Sequence, residues 1–214
     1  MKQNVTEVIF ILDRSGSMGG LEDDTIGGFN STLEKQKELD GDVVVSTVLF
    51  DNEFEVLHNR LDINTINPLT RKEYYVRGMT ALLDAVGRSI RYIKHQYADT
   101  LKEDRPSKVL FVITTDGMEN ASREFNYKRL KKMILEVQEK YNWEFLFLGA
   151  NIDAVGEAAK FGINEERAVR FHSDKKGTSK NYEAINEAMT SLRTTNMIKK
   201  NWKSRVEEDF DERK

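Results

Sequence analysis

The chain has 214 residues, of which 39% are hydrophobic and 32% are charged, and its formal net charge is −3 at pH 7. This length and composition suit one soluble domain with its own core, and the interspersed charges give no basic face for nucleic acid. The sequence contains no cysteine, which excludes disulfides, thiolate metal sites and thiol nucleophiles.

Strand-like and helix-like patterns alternate along the chain. In chain order we predict strand 6–12, helix 21–39, strands 43–50 and 54–58, helix 81–97, strand 108–114, helix 126–141, strand 143–148, helix 153–161, strand 168–171 and helix 178–194. The strands are mostly short continuous apolar runs, as in a sheet buried on both faces, whereas the helices carry apolar residues three or four positions apart.

Local signals refine this pattern at several positions. Asp51 and Asn52 form a tight turn, so the strand that follows them is expected to return antiparallel at a sheet edge. The segment 61–77 has no regular pattern. Thr178 is expected to cap the last predicted helix, and the charged residues after Lys199 either fray or extend that helix.

The N-terminal residues bear on location. Residues 2–7 are mostly polar, and the apolar run 8–12 is too short for a signal-peptide core or a membrane span. We therefore expect a cytoplasmic protein that does not bind membranes.

Polar side chains follow the ends of two predicted strands. Strands that alternate with helices predict a mostly parallel sheet covered on both faces, and ligands of such folds bind at the carboxyl ends of the strands. Asp13 follows the first strand, and Asp116 follows strand 108–114. These two carboxylates are therefore expected at the ligand-binding edge.

Three loops supply oxygen atoms at this edge: D-R-S-G-S at 13–17, G-M-T at 78–80 and T-D-G at 115–117. Together they offer two carboxylates and three hydroxyls, a donor set that suits a hard cation such as Mg²⁺ or Mn²⁺. In an extended loop, residues 13, 15 and 17 turn their side chains the same way, and Gly16 permits a sharp bend.

These loops resemble the metal-ion-dependent adhesion site (MIDAS) of von Willebrand factor A (vWA) domains, whose pattern is D-x-S-x-S, then a distant T and a distant D. The matching residues are Asp13, Ser15, Ser17, Thr80 and Asp116, in the expected order. The resemblance implies that Ser15 and Ser17 ligate the metal directly, while the other three bind it directly or through water.

The likeness covers most of the chain, from the first strand to about Ser191. It implies a Rossmann-like, three-layer α/β/α vWA fold whose central sheet has about six strands, mostly parallel, with one antiparallel edge strand. Residues 1–195 would form the vWA domain and residues 196–214 a charged helical extension or tail. With no evident signal, span or cysteine, the chain resembles stand-alone intracellular members of the family.

The donor set favours binding over catalysis. A cation held largely by neutral hydroxyls and water keeps positive charge, so a partner's Asp or Glu carboxylate can complete its coordination. The resemblance implies the same role, because vWA domains serve mainly in metal-dependent protein recognition. We expect Mg²⁺ or Mn²⁺ as the cofactor, with Ca²⁺ a weaker candidate, and no catalytic residues. The oligomeric state is not predicted.

Two alternatives stay open. In the first, the protein is a metal-dependent phosphohydrolase with Asp13 as nucleophile or water activator, although the second acid that such a loop needs is replaced by Ser15. In the second, the metal only stabilises the loops.

The residues beside the ligands also have two interpretations. Met18, Met79 and Met118 form either a flexible apolar rim around the cation or plugs in the core beneath the loops. Arg14 and Arg77 either steer an acidic partner or are solvated surface charges.

Other polar residues are expected to have local roles. Thr80 is a potential cap of helix 81–97 as well as a ligand, and Asp84 is more simply a partner of that helix's dipole than an acid behind the ligands. The histidines, His58, His95 and His172, show no nucleophile motif beside them, and neither a P-loop nor a G-x-S-x-G sequence occurs.

Overall fold

Residues 2–213, the part of the chain that the computed structural model describes, contain six strands and six α-helices. The strands are β1 (Lys2–Asp13), β2 (Asp42–Phe50), β3 (Phe54–Asp62), β4 (Pro106–Thr115), β5 (Glu144–Ala150) and β6 (Ala168–Phe171). The helices are α1 (Glu22–Lys37), α2 (Leu82–Asp99), α3 (Tyr127–Tyr141), α4 (Ala154–Phe161), α5 (Lys175–Thr195) and α6 (Ser204–Glu212). Every predicted strand and helix is present, most with shifted bounds.

The strands form one sheet in the order β3-β2-β1-β4-β5-β6. All neighbouring strands are parallel except β3, which is antiparallel to β2 at the sheet edge. The mostly parallel sheet with one antiparallel edge strand is therefore confirmed. Strands β2 and β3 lie on one side of β1 and strands β4–β6 on the other, so the strand order reverses between β1 and β4. Open α/β sheets bind ligands at such a crevice.

Both faces of the sheet are buried under helices. Successive side chains of a strand point to opposite sides, so one strand contributes to both cores. Phe10 packs in the core formed with α1, α5 and α6, whereas Ile9 and Ile11 pack in the core formed with α2, α3 and α4. The molecule thus has three layers, with the sheet in the middle. Among the described residues, no helix combines the length and apolarity needed to cross a membrane.

The last helices differ from the predictions. Helix α5 is capped by Asp174, whose carboxylate accepts a hydrogen bond from Gly177 N at 2.9 Å. Thr178 lies inside the helix, so the prediction that it caps the helix was wrong; an aspartate one turn earlier takes that role. The chain then turns at Asn196, whose φ of 62° ends the helix, and α6 forms as a separate helix instead of an extension of α5.

The C-terminal segment packs against the rest of the chain despite its charge. Trp202 and Val206 are buried in the same core as α1 and α5. Trp202 Nε1 donates to Glu166 O at 2.9 Å, and Lys203 Nζ donates to Ala168 O at 3.0 Å. The segment therefore covers the short edge strand β6.

Candidate metal site

The three predicted loops meet where β1 and β4 end. Gly16 N donates to Gly78 O at 3.1 Å and joins the first loop to the second. Asn120 N donates to Thr80 O at 3.0 Å, and Asn120 Oδ1 accepts from Thr80 N at 2.9 Å. These bonds join the second loop to the third loop, which in the structure continues through residues 118–125, so the structure brings together the loops that carry the five predicted ligands.

Three hydroxyls form the centre of the site. Ser15 Oγ lies 3.1 Å from Ser17 Oγ and accepts a hydrogen bond from Thr80 Oγ1 at 2.9 Å. A Cβ atom added to Gly117 would lie 2.9 Å from Ser17 Oγ and 3.0 Å from Thr80 Oγ1. Because glycine has no Cβ, it leaves a small space bordered by hydroxyl oxygens. Ser15 and Thr80 are buried and Ser17 is exposed, so this space opens to solvent beside Ser17.

Asp13 lies beneath the hydroxyls and is fully buried. Its Oδ1 accepts from Ser15 N at 2.7 Å, and its Oδ2 accepts from Thr115 Oγ1 at 2.5 Å. Burial raises the pKa of Asp13 to about 6, although the hydrogen bonds from Thr115 and Ser15 oppose this rise. An ionised carboxylate at this position is costly unless a positive charge lies close to it.

Asp116 completes the carboxylate pair. It is buried, and its Oδ1 has no hydrogen-bond partner in the described part of the chain, while its Oδ2 accepts from Ser173 Oγ at 3.3 Å. Burial also raises the pKa of Asp116. A buried carboxylate oxygen without a partner carries an uncompensated desolvation cost, which a bound cation would remove.

The residues fit a hard divalent cation. The two carboxylates and three hydroxyls provide only oxygen, the donor that Mg²⁺ and Mn²⁺ prefer. Within residues 2–213, His, Asp and Glu side chains do not gather in threes as a potential metal cluster. A cation at this site would therefore depend on the hydroxyls as well as on the two acids.

Tyr74 supports the first loop from below. It is fully buried, and its hydroxyl donates to Asp13 O at 2.5 Å. Its position in the irregular segment 61–77 gave no sequence signal for this role. Ser173 was missed for a similar reason, because it follows β6 and reaches Asp116 only through the fold.

Asp84 joins helix α2 to the third loop. Its carboxylate accepts three successive backbone N–H groups, those of residues 123–125, at 2.8–2.9 Å. Asp84 does lie in the first turn of α2, where a helix-dipole partner is expected, but the prediction missed these three contacts. In return, Glu119 accepts from Leu83 N at 2.9 Å, so the third loop caps the start of the helix.

Thr80 does not cap helix α2. The capping residue is Ala81, without a side-chain hydrogen bond, and the Thr80 hydroxyl turns to Ser15 instead. The prediction that Thr80 also caps this helix was therefore wrong. The N-terminal amides of the helix are satisfied by the third loop, which leaves Thr80 Oγ1 in the hydroxyl cluster.

Arg14 is neither a steering charge nor a solvated one. Its side chain is fully buried, with Nε 3.1 Å from Asp51 Oδ2 and Nη1 2.7 Å from Glu55 Oε2. Arg77 Nε contacts the same Asp51 oxygen at 2.7 Å. Asp51 is therefore more than a turn residue, since it joins both arginines and anchors the second loop through the bond from Ala81 N to its carbonyl oxygen at 2.9 Å.

The methionines divide between the two interpretations. Met18 is buried, as the second interpretation expects, whereas Met79 and Met118 are 55% and 70% exposed. The histidines have contacts elsewhere: the rings of His58 and His172 stack on Phe29 and Phe210, and His95 Nδ1 lies 3.0 Å from an Asp99 carboxylate oxygen.

Comparison with known proteins rests on structure. No protein-family model matches the chain, and no curated protein matches its sequence. Proximal thread matrix protein 1 from the mussel byssus matches with a TM-score of 0.57 and 14% identity, over 86% of this chain and 45% of its own. A von Willebrand factor type A protein from Catenulispora acidiphila matches with a TM-score of 0.55 and 14% identity, over 86% of this chain and 42% of its own.

The chain has the vWA fold. A point mutant of the PilB minor pilin from Streptococcus sanguinis also matches it, with a TM-score of 0.62 and 13% identity, over 89% of this chain and 63% of its own. The chain thus spans less than two thirds of the length of each of these proteins. A further structure of the mussel protein, with a TM-score of 0.56, has zinc in its MIDAS motif.

Proposed function

We propose that this protein is a metal-dependent protein-binding module. Asp13, Ser15, Ser17, Thr80 and Asp116 would hold Mg²⁺ or Mn²⁺, and an Asp or Glu carboxylate of a protein partner would complete the coordination. The observation that carries this proposal is the hydroxyl cluster beside a buried carboxylate oxygen of Asp116 that has no hydrogen-bond partner.

The charges around the site support recognition of an outside carboxylate. Both oxygens of Asp13 already accept hydrogen bonds, from Ser15 N and from Thr115 Oγ1, so its charge is partly compensated within the protein. The hydroxyls are neutral. A dication held in this way keeps enough positive charge to attract an additional anion, and the exposed side at Ser17 gives that anion a path.

Related folds add support at the level of metal binding. The mussel protein has the same fold and a zinc-occupied MIDAS motif. We propose that this chain uses the corresponding residues in the same way, with Mg²⁺ or Mn²⁺ as its cation.

The geometry favours binding over hydrolysis. Asp13 is fully buried and both of its carboxylate oxygens are engaged, so it is poorly placed to attack a phosphate. Ser15 stands where a second acid would be needed to activate water or protonate a leaving group. The cytoplasmic location, the lack of membrane and nucleic-acid partners and the domain boundary at residue 195 stay predictions from the sequence.

Capture from an extract of the native host tests this function. Immobilised wild-type protein would be compared in Mg²⁺ and in EDTA with the Asp116→Asn variant, and Asp62→Asn, which changes an exposed carboxylate at the end of β3, would be the matched control. A partner retained only with metal and only by the wild type and the control supports the proposal. Phosphatase turnover that disappears in Asp116→Asn would favour the hydrolase. Metal-dependent stability without any retained partner would favour a purely structural metal.

A further inference from the structure

Exposed large apolar side chains occur close in the sequence to residues of the hydroxyl cluster. Met79 directly precedes Thr80 and is 55% exposed; Met118 directly follows Gly117 and is 70% exposed. Tyr75, 44% exposed, lies on the segment that leads to the second loop. We call these three residues, Tyr75, Met79 and Met118, the rim.

The backbone holds Met79 in its exposed position. Gly78 before it has a φ of 68°, and a Cβ at this glycine would lie 2.1 Å from Asn52 Oδ1. The same Asn52 oxygen accepts a hydrogen bond from Met79 N at 3.3 Å. The exposure of Met79 is therefore set by an anchored turn.

Met118 is held in a similar way by its neighbours. Glu119 Oε1 accepts hydrogen bonds from Ala121 N and Ser122 N at 3.0 and 2.7 Å, which fixes the loop immediately after Met118. Of the three methionines beside the site loops, only Met18 is buried. The exposed methionines are thus not needed to fill the interior.

Tyr75, the third residue of the rim, packs against two arginines. The guanidinium carbons of Arg14 and Arg77 lie 5.4 and 5.5 Å from the centre of its ring. The two arginines also bind Asp51, so the ring rests on an ion-pair cluster that is fixed by buried contacts. Tyr75 is therefore held by its contacts with the arginines and still exposes 44% of its surface.

Beside Met79 the surface continues as a groove of about 340 Å³, which Asn52, Arg88 and Arg123 help to line. The groove gives room for chain atoms on the Met79 side of a bound residue. Acidic side chains line it as well, and Glu124 Oε2 lies 2.8 Å from Arg88 Nε, so the groove has mixed charge. A cation at the hydroxyl cluster would therefore be the group that attracts a partner's carboxylate.

We propose that the rim selects partner segments in which the metal-binding Asp or Glu is flanked by large aliphatic residues. This inference rests on the proposed function. Methionine side chains are flexible and polarisable, so they adapt to differently shaped aliphatic neighbours. Covering the cation with apolar atoms also excludes water, which strengthens the contact between metal and carboxylate.

Short blocked peptides test the selection directly. Gly-Leu-Asp-Leu-Gly and Gly-Ser-Asp-Ser-Gly, acetylated and amidated, would be titrated into Mg²⁺-loaded protein and followed by NMR shifts, with Asn-for-Asp peptides as controls. We expect the leucine peptide to bind wild-type protein roughly tenfold more tightly, as expected from partial burial of two leucines. The difference should disappear in the Met79→Ser/Met118→Ser variant.

A matched control comes from the other end of α5. Met197 is 67% exposed and follows the 21-residue helix α5, which begins near the metal site and ends far from it. Met197→Ser should keep the full preference for the leucine peptide. Because all three methionines are exposed, the variants should melt like the wild type.

The results of the peptide titrations distinguish the contribution of the rim from that of the metal site. Equal binding of the leucine and serine peptides, both lost in EDTA, would overturn the selection by the rim and leave the proposed function intact. A preference that persists in the double methionine variant would also overturn it. Peptides that bind equally well in EDTA, or not at all to metal-loaded protein, would contradict the proposed function itself.

Discussion

Replacing Asp13 with asparagine should stabilise the metal-free protein while removing its response to metal. Burial raises the pKa of Asp13 from its usual value of 3.8 to about 6. At 1.36 kcal/mol per pKa unit, the ionised carboxylate costs the metal-free fold about 3 kcal/mol. Asparagine has nearly the same shape and can still accept the hydrogen bond from Ser15 N, but it carries no charge. The gain in stability at pH 7 is therefore expected to approach that cost.

The raised pKa of Asp13 also determines how the stability difference between Asp13→Asn and the wild type changes with pH. The cost of ionised Asp13 is fully present above pH 6, declines as the pH falls from 6 towards 3.8, and is absent below that range. The advantage of Asp13→Asn over the wild type should therefore shrink as the pH is lowered from 7 to 5. With EDTA at pH 7, the advantage corresponds to a rise in Tm of up to roughly 6–12 °C for a domain of this size.

Scanning calorimetry in EDTA and in Mg²⁺ measures both effects. Mg²⁺ should raise the Tm of the wild type and leave that of Asp13→Asn unchanged. The difference in Tm between the two proteins should therefore narrow or reverse when metal is added. The exposed-site variant Asp62→Asn should follow the wild type in both conditions. An Asp13→Asn protein that is less stable than the wild type in EDTA, or that gains as much from Mg²⁺, would refute the reasoning.

Three other substitutions test separate parts of the site. Gly117→Ala places a Cβ within 3.0 Å of two site hydroxyls, so Mn²⁺ affinity measured by titration should fall at least about tenfold, with unchanged circular dichroism. Ser173→Ala removes a donor to Asp116 and should weaken Mn²⁺ binding roughly three- to tenfold, with recovery in Ser173→Thr; equal affinity would exclude a positioning role for this residue. Arg14→Met leaves Asp51 buried with one arginine fewer and should cost about 3–5 kcal/mol in urea unfolding; a neutral result would contradict the assignment of a buried ion pair.

The sequence pattern predicted the parts of the site that depend on strand ends. Because parallel strands end at one edge, the residues after β1 and β4 could be placed together before the structure was known. The G-M-T segment was joined to them by its place at the start of a predicted helix and by the resemblance to the MIDAS pattern. These elements have local signals: apolar runs, glycines at sharp bends and hydroxyls at alternate positions.

The supporting contacts lacked such signals. Tyr74 lies in an irregular segment and reaches the carbonyl oxygen of Asp13, 61 residues away. Arg14 sits between two of the proposed metal ligands, and its burial depends on Asp51 and Glu55 from the neighbouring hairpin. Contacts of this kind arise from tertiary packing, which periodicity along the chain does not encode.

The end of the chain shows the same limit. Its high charge predicted a frayed helix end, an extension or a tail, yet Trp202 and Val206 are buried in the core. The average composition of this segment is dominated by its charged residues and does not reveal the two apolar residues that pack into the core. At the start of α5, the sequence pattern predicted Thr178 as the cap, and only the local backbone decides that Asp174 caps the helix instead.

Detecting an outside carboxylate on the bound cation tests the proposed function most directly. Mn²⁺-loaded protein would be mixed with acetate labelled with ¹³C at the carboxyl carbon, and electron–nuclear double resonance would report whether that carbon lies one bond from the metal-bound oxygen. We predict one Mn²⁺ per chain with a clear ¹³C coupling in the wild type and loss of the bound Mn²⁺ in Asp13→Ala. A cation that binds with the same affinity in Asp13→Ala, or one that shows no ¹³C coupling at saturating acetate, would contradict the proposed function.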